Sequence, residues 1–239
     1  MKKKPFQRVL LKLSGETLKS NKNFGIDLEA SQKVAEYLSR IHKEGIELAV
    51  VIGGGNIFRG EQLKQMGIPR TPADQMGMLA TILNGLTIQE SLKSLGIPVC
   101  VMSALECPKV VETYQWNRAN EYLKKGNVVI FVGGTGNPFF TTDTAAALRA
   151  SEIEADLLIK ATKVDGIYDK DPLIHHDAKK YDRISYTQVL AEKLQVMDAS
   201  AIDLCRNNKI PIFVFNMNRL YEESLETLLS DLKHGTIVE

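Results

Sequence analysis

Short apolar runs alternate along the chain with longer stretches in which apolar residues recur every three or four positions. The runs are Arg8 to Leu13, Ile46 to Ile52, Pro98 to Met102, Val128 to Val132, Glu154 to Lys160 and Ile210 to Phe215. Their length and β-branched content predict buried strands. Between the first two, Val34, Tyr37, Leu38 and Ile41 repeat at helical spacing, with Asp27 placed to cap the helix and Gly45 to stop it. Pro72 to Leu95 predicts a long helix whose broad apolar face (Met76, Met78, Leu79, Ile82, Leu83, Leu86, Ile88, Leu92) packs in the core alone, or on both the sheet and a second subunit. Further helices are predicted over Glu112 to Lys125, from Thr144 to Ala150, over Ala199 to Arg206 behind Asp198, and over Leu220 to Leu232.

One grammar recurs: helix, glycine (Gly45, Gly96, Gly126), apolar strand, with Asn207-Asn208 taking the glycine's place before the last run. Alternation of this kind predicts an α/β fold, a mostly parallel sheet covered on both faces. Ligands in such folds collect at the carboxyl ends of the strands. That rule sets Lys12 to Gly15, Gly53 to Gly55 and Gly133 to Gly136 along one rim. Asp169 to Arg183 is read as a charged loop, and its His175-His176 pair as solvated rather than metal-binding. No linker-like tract interrupts the chain, so residues 1–239 are read as one domain with two functional halves, about 1–150 and 151–239.

Composition narrows the function. The chain has 239 residues, 44% of them hydrophobic, and a net charge of +1. That charge gives no case for nucleic-acid binding. No apolar run reaches membrane-spanning length, and Lys2-Lys3-Lys4 lacks the apolar core of a signal peptide. Cys100, Cys107 and Cys205 are scattered, which suggests neither a disulfide framework nor a metal cluster, and a cytoplasmic location is expected.

Chemistry concentrates in Val132 to Asp143, where Gly133, Gly134 and Gly136 follow a strand and precede a helix that Thr141, Thr142 or Asp143 can cap. A strand, a glycine turn and a helix N-terminus make an anion site. Gly53-Gly54-Gly55 forms a second such turn, with Arg59 in reach. It is not a Walker A loop, because Glu61 follows Gly60 where lysine should stand. Nor is it a dinucleotide fingerprint, which fails at Phe58 here and at Phe139 in the other turn. Lys12 lies among apolar neighbours, as a phosphate-binding lysine would, or an edge lysine reaching for water.

Two anion cradles with cations beside them suit phosphoryl transfer, which is mainly positioning and charge neutralisation. Two unit charges about 4 Å apart repel by roughly 4 kcal/mol at an effective dielectric near 20. Cations must therefore stand between two phosphates, Mg²⁺ on ATP among them. An acceptor that is itself a phosphate is already ionised and needs no general base.

These residues resemble a known family. Leu11 to Glu16, Val51 to Gly60, Asp74 to Thr81, Gly134 to Asp143, Lys160 to Gly166 and Val196 to Asp198 are similar, in order, to bacterial UMP kinases of the amino-acid kinase superfamily. The resemblance implies a three-layer αβα sandwich around a mainly parallel eight-stranded sheet, a homohexamer, and the reaction UMP + ATP → UDP + ADP. It implies catalytic roles for Lys12, Arg59 and Asp143, the last orienting the lysine. Lys12, Leu13, Ser14, Gly15, Gly55, Arg59, Thr162, Lys163, Tyr168 and Asp171 would form the ATP site. Gly54, Asp74, Thr135, Gly136, Asn137, Pro138, Phe139, Phe140, Thr141 and Thr142 would form the UMP site, with Asp74 on the ribose hydroxyls. The family implies no protein-held metal and no tightly bound cofactor beyond ATP with Mg²⁺, and UTP as feedback inhibitor.

Two departures stand out. Some superfamily members place a second catalytic lysine just before the Val196 region; Gln195 stands here, which leaves Arg59, or less favourably Lys160, for that charge. Relatives activated by GTP carry glycines in the loop after the first strand, and here it reads Lys19 to Gly25 with one glycine. On the same fold, an acylglutamate, carbamate or aspartate kinase, or a non-catalytic nucleotide sensor, are the alternatives. Their acceptors would leave the hydroxyl-rich Asn137 to Thr142 loop with less to bind.

Overall fold

The first apolar run becomes the centre of the sheet. In the computed structural model, which describes residues 6–19, 24–59, 65–194, 196–221, 223–230 and 234–239, β1 (Arg8–Leu13) lies between β2 (Glu47–Ile52) and β6 (Leu157–Thr162), parallel to both. Beyond β2 follow β5 (Val128–Val132), β3 (Val99–Ser103) and β4 (Glu112–Thr113). Beyond β6 follow β10 (Ile212–Asn216), β11 (Gly235–Val238) and β9 (Arg183–Ile184). Within this sheet, among the described residues, only the β10–β11 pairing is antiparallel. The mainly parallel sheet holds nine strands among the described residues where eight were expected, two of them, β4 and β9, only two residues long. β7 (Ile167–Tyr168) and β8 (Lys180–Tyr181) form a separate hairpin.

Helices cover both faces. α1 (Leu28–Lys43), α2 (Arg70–Ser94) and α7 (Leu225–Ser230) lie on one; α3 (Trp116–Lys124), α4 (Thr142–Glu152), α5 (Tyr186–Ala191) and α6 (Ala199–Asn208) lie on the other. Alternation along β1 divides its side chains between them. Leu11 and Leu13 join the core with Val34, Leu38, Ile88 and Leu92. Leu10 joins Ala146, Ala147, Ala150 and Ile202 on the opposite side. Each such leucine contributes roughly 1.5–3 kcal/mol by burial. The even positions of β1 face α4, and that parity decides where Lys12 points.

Several boundaries differ from the pattern. The helix expected over Glu112 to Lys125 begins only at Trp116, because Glu112 and Thr113 pair with Met102 and Ser103 as an edge strand. The charged stretch from Asp169 to Arg183 ends in strand pairing rather than running as open loop. The left-handed residue closing α6 is Lys209, with φ 55°, not Asn207 or Asn208. Asp27 caps α1 as expected, its carboxylate accepting from the Ala30 N–H at 3.0 Å. Where one terminal helix was expected, a 3-10 turn over Met217–Tyr221 precedes the short α7. The basic segment Lys2 to Lys4, most of the departing loop (residues 20–23), Gly60 and Glu61, and Gln195 lie outside the described residues.

Candidate active site

Lys12 sits near the carboxyl end of the central strand, and the register sets Lys160 of β6 directly beside it. Both alternate toward the face that α4 covers. Asp143, in the first turn of α4, reaches back between them: Lys12 Nζ stands 2.8 Å from Oδ1 and Lys160 Nζ donates to Oδ2 at 2.7 Å. Lys160 also donates to the Val196 carbonyl. The three side chains are 13–15% exposed, so the trio is nearly dry on the protein side and opens onto the rim. Burial works to raise the Asp143 carboxyl, but Lys12 and Lys160 outweigh it and hold the group below its ordinary value. Burial pushes the Lys160 ammonium down, against the pull of Asp143 and with the push of Lys12. Lys12 is thus neither an edge lysine nor a snorkelling one.

Arg59 is not part of this trio. Its guanidinium is bound to Glu16 at 2.8 Å, and Glu16 also holds Lys163 at 3.0 Å. The hydrogen bond from Lys163, helped by the charges of Lys163 and Arg59, keeps the Glu16 carboxyl below its ordinary value despite some burial. Lys160, the less favoured choice for the second cation, is the one that the fold brings beside Lys12. Its signal was present in the sequence: a second lone lysine at the end of an apolar run, on the strand that pairs with the first.

The glycines divide by cause. Gly133, Gly134 and Gly136 take φ of 75°, 58° and 82°, a turn open to few other residues. A Cβ on Gly15 would meet the Gly53 carbonyl oxygen at 2.4 Å, and one on Gly54 the Gly77 carbonyl oxygen at 2.6 Å. Those two glycines let the turns and α2 approach each other, whereas a Cβ on Gly55 would meet open space. Of the three candidate caps on α4, Thr141 serves, accepting from the Asp143 N–H at 3.1 Å. The Thr141 hydroxyl donates to Asp198, which also receives Thr144 at 3.3 Å. Asp198 therefore ties the hydroxyl loop to α6, and its side chain makes no cap bond to that helix; sequence reasoning had assigned it only the cap.

On one side of the trio lies the loop from Thr135 to Thr142. Asp74 in α2 accepts from the Phe139 N–H at 2.7 Å and pairs with Arg70 at 3.4 Å. Phe139 holds a left-handed φ of 73°, unusual for an aromatic residue, with the Arg70 guanidinium 4.9 Å above its ring. Gly136, Asn137, Pro138, Phe140 and Thr142 line the same stretch, and Phe139 and Phe140 are exposed.

On the other side a cavity of about 580 Å³ is lined by Lys160, Thr162, Tyr168, Asp171, Leu173 and Val196, among others. Burial, with help from Asp165, pushes the Tyr168 hydroxyl up to about 12, so it stays a donor at neutral pH. Lys163 is 87% exposed and points to Glu16 instead of lining the cavity. Ser14 caps the turn over Gly15–Leu18. Leu13 is 1% exposed, so only its backbone can meet a ligand. Among the described residues, no three His, Cys, Asp or Glu side chains converge into a metal site, and no helix is long and apolar enough to cross a membrane.

Comparison with known proteins agrees with this geometry. Residues 7–216 match the amino acid kinase family. The uridylate kinase of Protochlamydia amoebophila is 65% identical over 233 residues, 98% of this chain and 93% of that one. The solved UMP kinase from Ureaplasma parvum superposes with a TM-score of 0.91 at 39% identity, covering 98% of this chain and 99% of its own. The UMP kinase from Bacillus anthracis gives 0.91 at 36% identity, covering 98% and 96%.

Proposed function

The chain belongs to the amino acid kinase family, and on that premise we propose that it is a UMP kinase, moving the γ-phosphoryl group of ATP to UMP to give UDP and ADP. The observation that carries the reading is the Lys12–Asp143–Lys160 trio between a roomy cavity and the hydroxyl-rich loop. The cavity, with Thr162, Tyr168 and Asp171, takes the adenosine end of ATP. Ser14, Gly15, Gly55 and the backbone of Leu13 receive its phosphates, with Arg59 and Lys163 at the entrance. The Thr135 to Thr142 loop, Gly54 and Asp74 take UMP. Asp74 Oδ2 already accepts from the Phe139 N–H and from Arg70, and the carboxylate's remaining lone pairs suit the ribose hydroxyls.

The chemistry follows from charge. A UMP phosphate oxygen attacks the γ-phosphorus in line, and the β–γ bridging oxygen leaves on ADP. The nucleophile is ionised, so no proton need be taken, consistent with the absence of a histidine from the lining residues named above. Lys12 and Lys160 stabilise charge on the transferring group, and Asp143 fixes both ammoniums before substrate arrives. Mg²⁺ enters as part of the ATP substrate, held by ATP oxygens and water.

The finer reading is that residues 1–150 and 151–239 divide one domain into a UMP side and an ATP side, in a cytoplasmic homohexamer of pyrimidine nucleotide synthesis. UTP inhibits by sharing the uracil and ribose of UMP. No membrane or nucleic-acid partner is expected, and GTP activation is not expected from the sequence of the Lys19 to Gly25 loop. ADP release with UMP, CMP, dUMP, an acylglutamate and carbamate as acceptors tests the reading. UMP should lead by orders of magnitude, and activity confined to a non-nucleotide would end it.

A further inference from the structure

The charged groups of the rim form two bridges built alike. Each is one carboxylate between two cations: Asp143 between Lys12 and Lys160, Glu16 between Arg59 and Lys163. They differ in their exposure. The inner bridge is 13–15% exposed throughout. In the outer one Glu16 is 29%, Arg59 44% and Lys163 87% exposed. A buried carboxylate cannot leave two ammoniums without great cost, whereas exposed pairs are weak and exchange readily. Glu16 stands in the turn Gly15–Leu18, immediately after the backbone groups assigned to the ATP phosphates.

On the reading that Arg59 and Lys163 meet the ATP phosphates, we infer that Glu16 is the resting counter-ion of those two cations, a positioning residue that holds them at the entrance and yields them to the incoming triphosphate. The four cations and two carboxylates leave these two bridges with a net charge of +2 at rest. Without Glu16 the rim would carry one more positive charge, and two long side chains would lose their anchor. When the triphosphate binds, its oxygens replace the Glu16 oxygens on the same two cations. No bond to the nucleotide is made by Glu16, which is driven outward by like charge. ATP affinity is therefore held below what the cations alone could give, and the ADP product is released more easily for the same reason.

Glu16→Gln keeps the shape and removes the charge, and Glu16→Ala removes both. Calorimetric titration of each variant and the wild-type chain with ATP, with and without Mg²⁺, reads the effect directly. Glu16→Gln should bind ATP roughly three- to tenfold more tightly than wild type, the range expected for release from two exposed ion pairs. The gain should shrink as salt is raised, the Michaelis constant for ATP should fall in step, and that for UMP should hold steady. Loss of a merely structural contact would lower the melting temperature without tightening ATP. Unchanged or weaker ATP binding in both variants overturns the inference. Weakening confined to the Mg²⁺ complex would make Glu16 a metal ligand and overturns it too. A wild-type chain that binds no ATP would instead refute the kinase reading beneath it.

Discussion

Asp143 decides the character of the centre because it is a single carboxylate answering two ammoniums. Its carboxyl lies below its ordinary value of 3.8 in the folded chain. The sign follows: the folded state binds its proton less readily than the unfolded one, so the stabilisation is complete above that ordinary value and is lost as pH falls through the folded one. Asp143→Asn should cost about 3 kcal/mol at pH 7, because it leaves two like charges side by side. The penalty should narrow in melting curves taken below that ordinary value, as the pH falls through the folded one and the wild-type carboxylate itself takes up a proton. Lys12→Ala should lower kcat on the order of 10²- to 10³-fold while the dissociation constant of UMP stays nearly unchanged. Equal losses in both would deny it a transition-state role. Lys12 was legible in the sequence because a lone charge inside an apolar run needs a reason. Asp143 was legible as the polar end of a glycine motif. Glu16 was not: a glutamate in a polar turn looks like any solvated charge until the fold brings residues 59 and 163 to it.

At the scale of elements, α2 connects the two proposed substrate sides. Asn84, wholly buried, donates to the Gly53 carbonyl at 2.8 Å and exchanges hydrogen bonds with Asn56 at 2.7 and 3.0 Å. Asn56 donates in turn to Gly25 at 3.0 Å, and Asp74 on the same helix holds the Phe139 N–H. A closed set of buried amides of this kind fixes a loop only while every member is present. Gly54→Ala drives a methyl group into Gly77 and Ala80 of α2. It should cost roughly 1–3 kcal/mol and raise the Michaelis constants for both substrates, read by melting temperature and by kinetics with each substrate varied. Asp74→Asn should instead raise the constant for UMP alone; the opposite pattern would exchange the two sites. The central strands were legible as continuous apolar runs and the long helix from its length and apolar content, although Leu79 and Leu83 of its expected apolar face stay exposed. The short strands β4, β9 and β11 were not, since two to four residues show no period and pair only once their neighbours are in place.

For the whole molecule, the trio, the cavity and the hydroxyl loop all come from one chain around one sheet. Catalytic completeness and assembly can therefore be separated. The face of α2 turned away from the sheet shows where assembly would act: Leu79 and Leu83, one helical turn apart, are 50% and 52% exposed. Apolar side chains so exposed on a helix whose other face is full suit a subunit contact, as the broad apolar pattern of Pro72 to Leu95 suggested. In the proposed homohexamer a glutamate at either position would have to be desolvated without a partner. The double variant Leu79→Glu, Leu83→Glu should sediment as smaller species at micromolar concentration where the wild type stays assembled. Because each chain carries all of the proposed site residues, the dissociated variant should retain phosphoryl transfer to UMP, diminished by looser support of α2 rather than abolished. An assembly unmoved by the two charges would place the contact elsewhere on the surface. Complete loss of activity in a folded, dissociated chain would mean that a neighbouring subunit supplies part of the site.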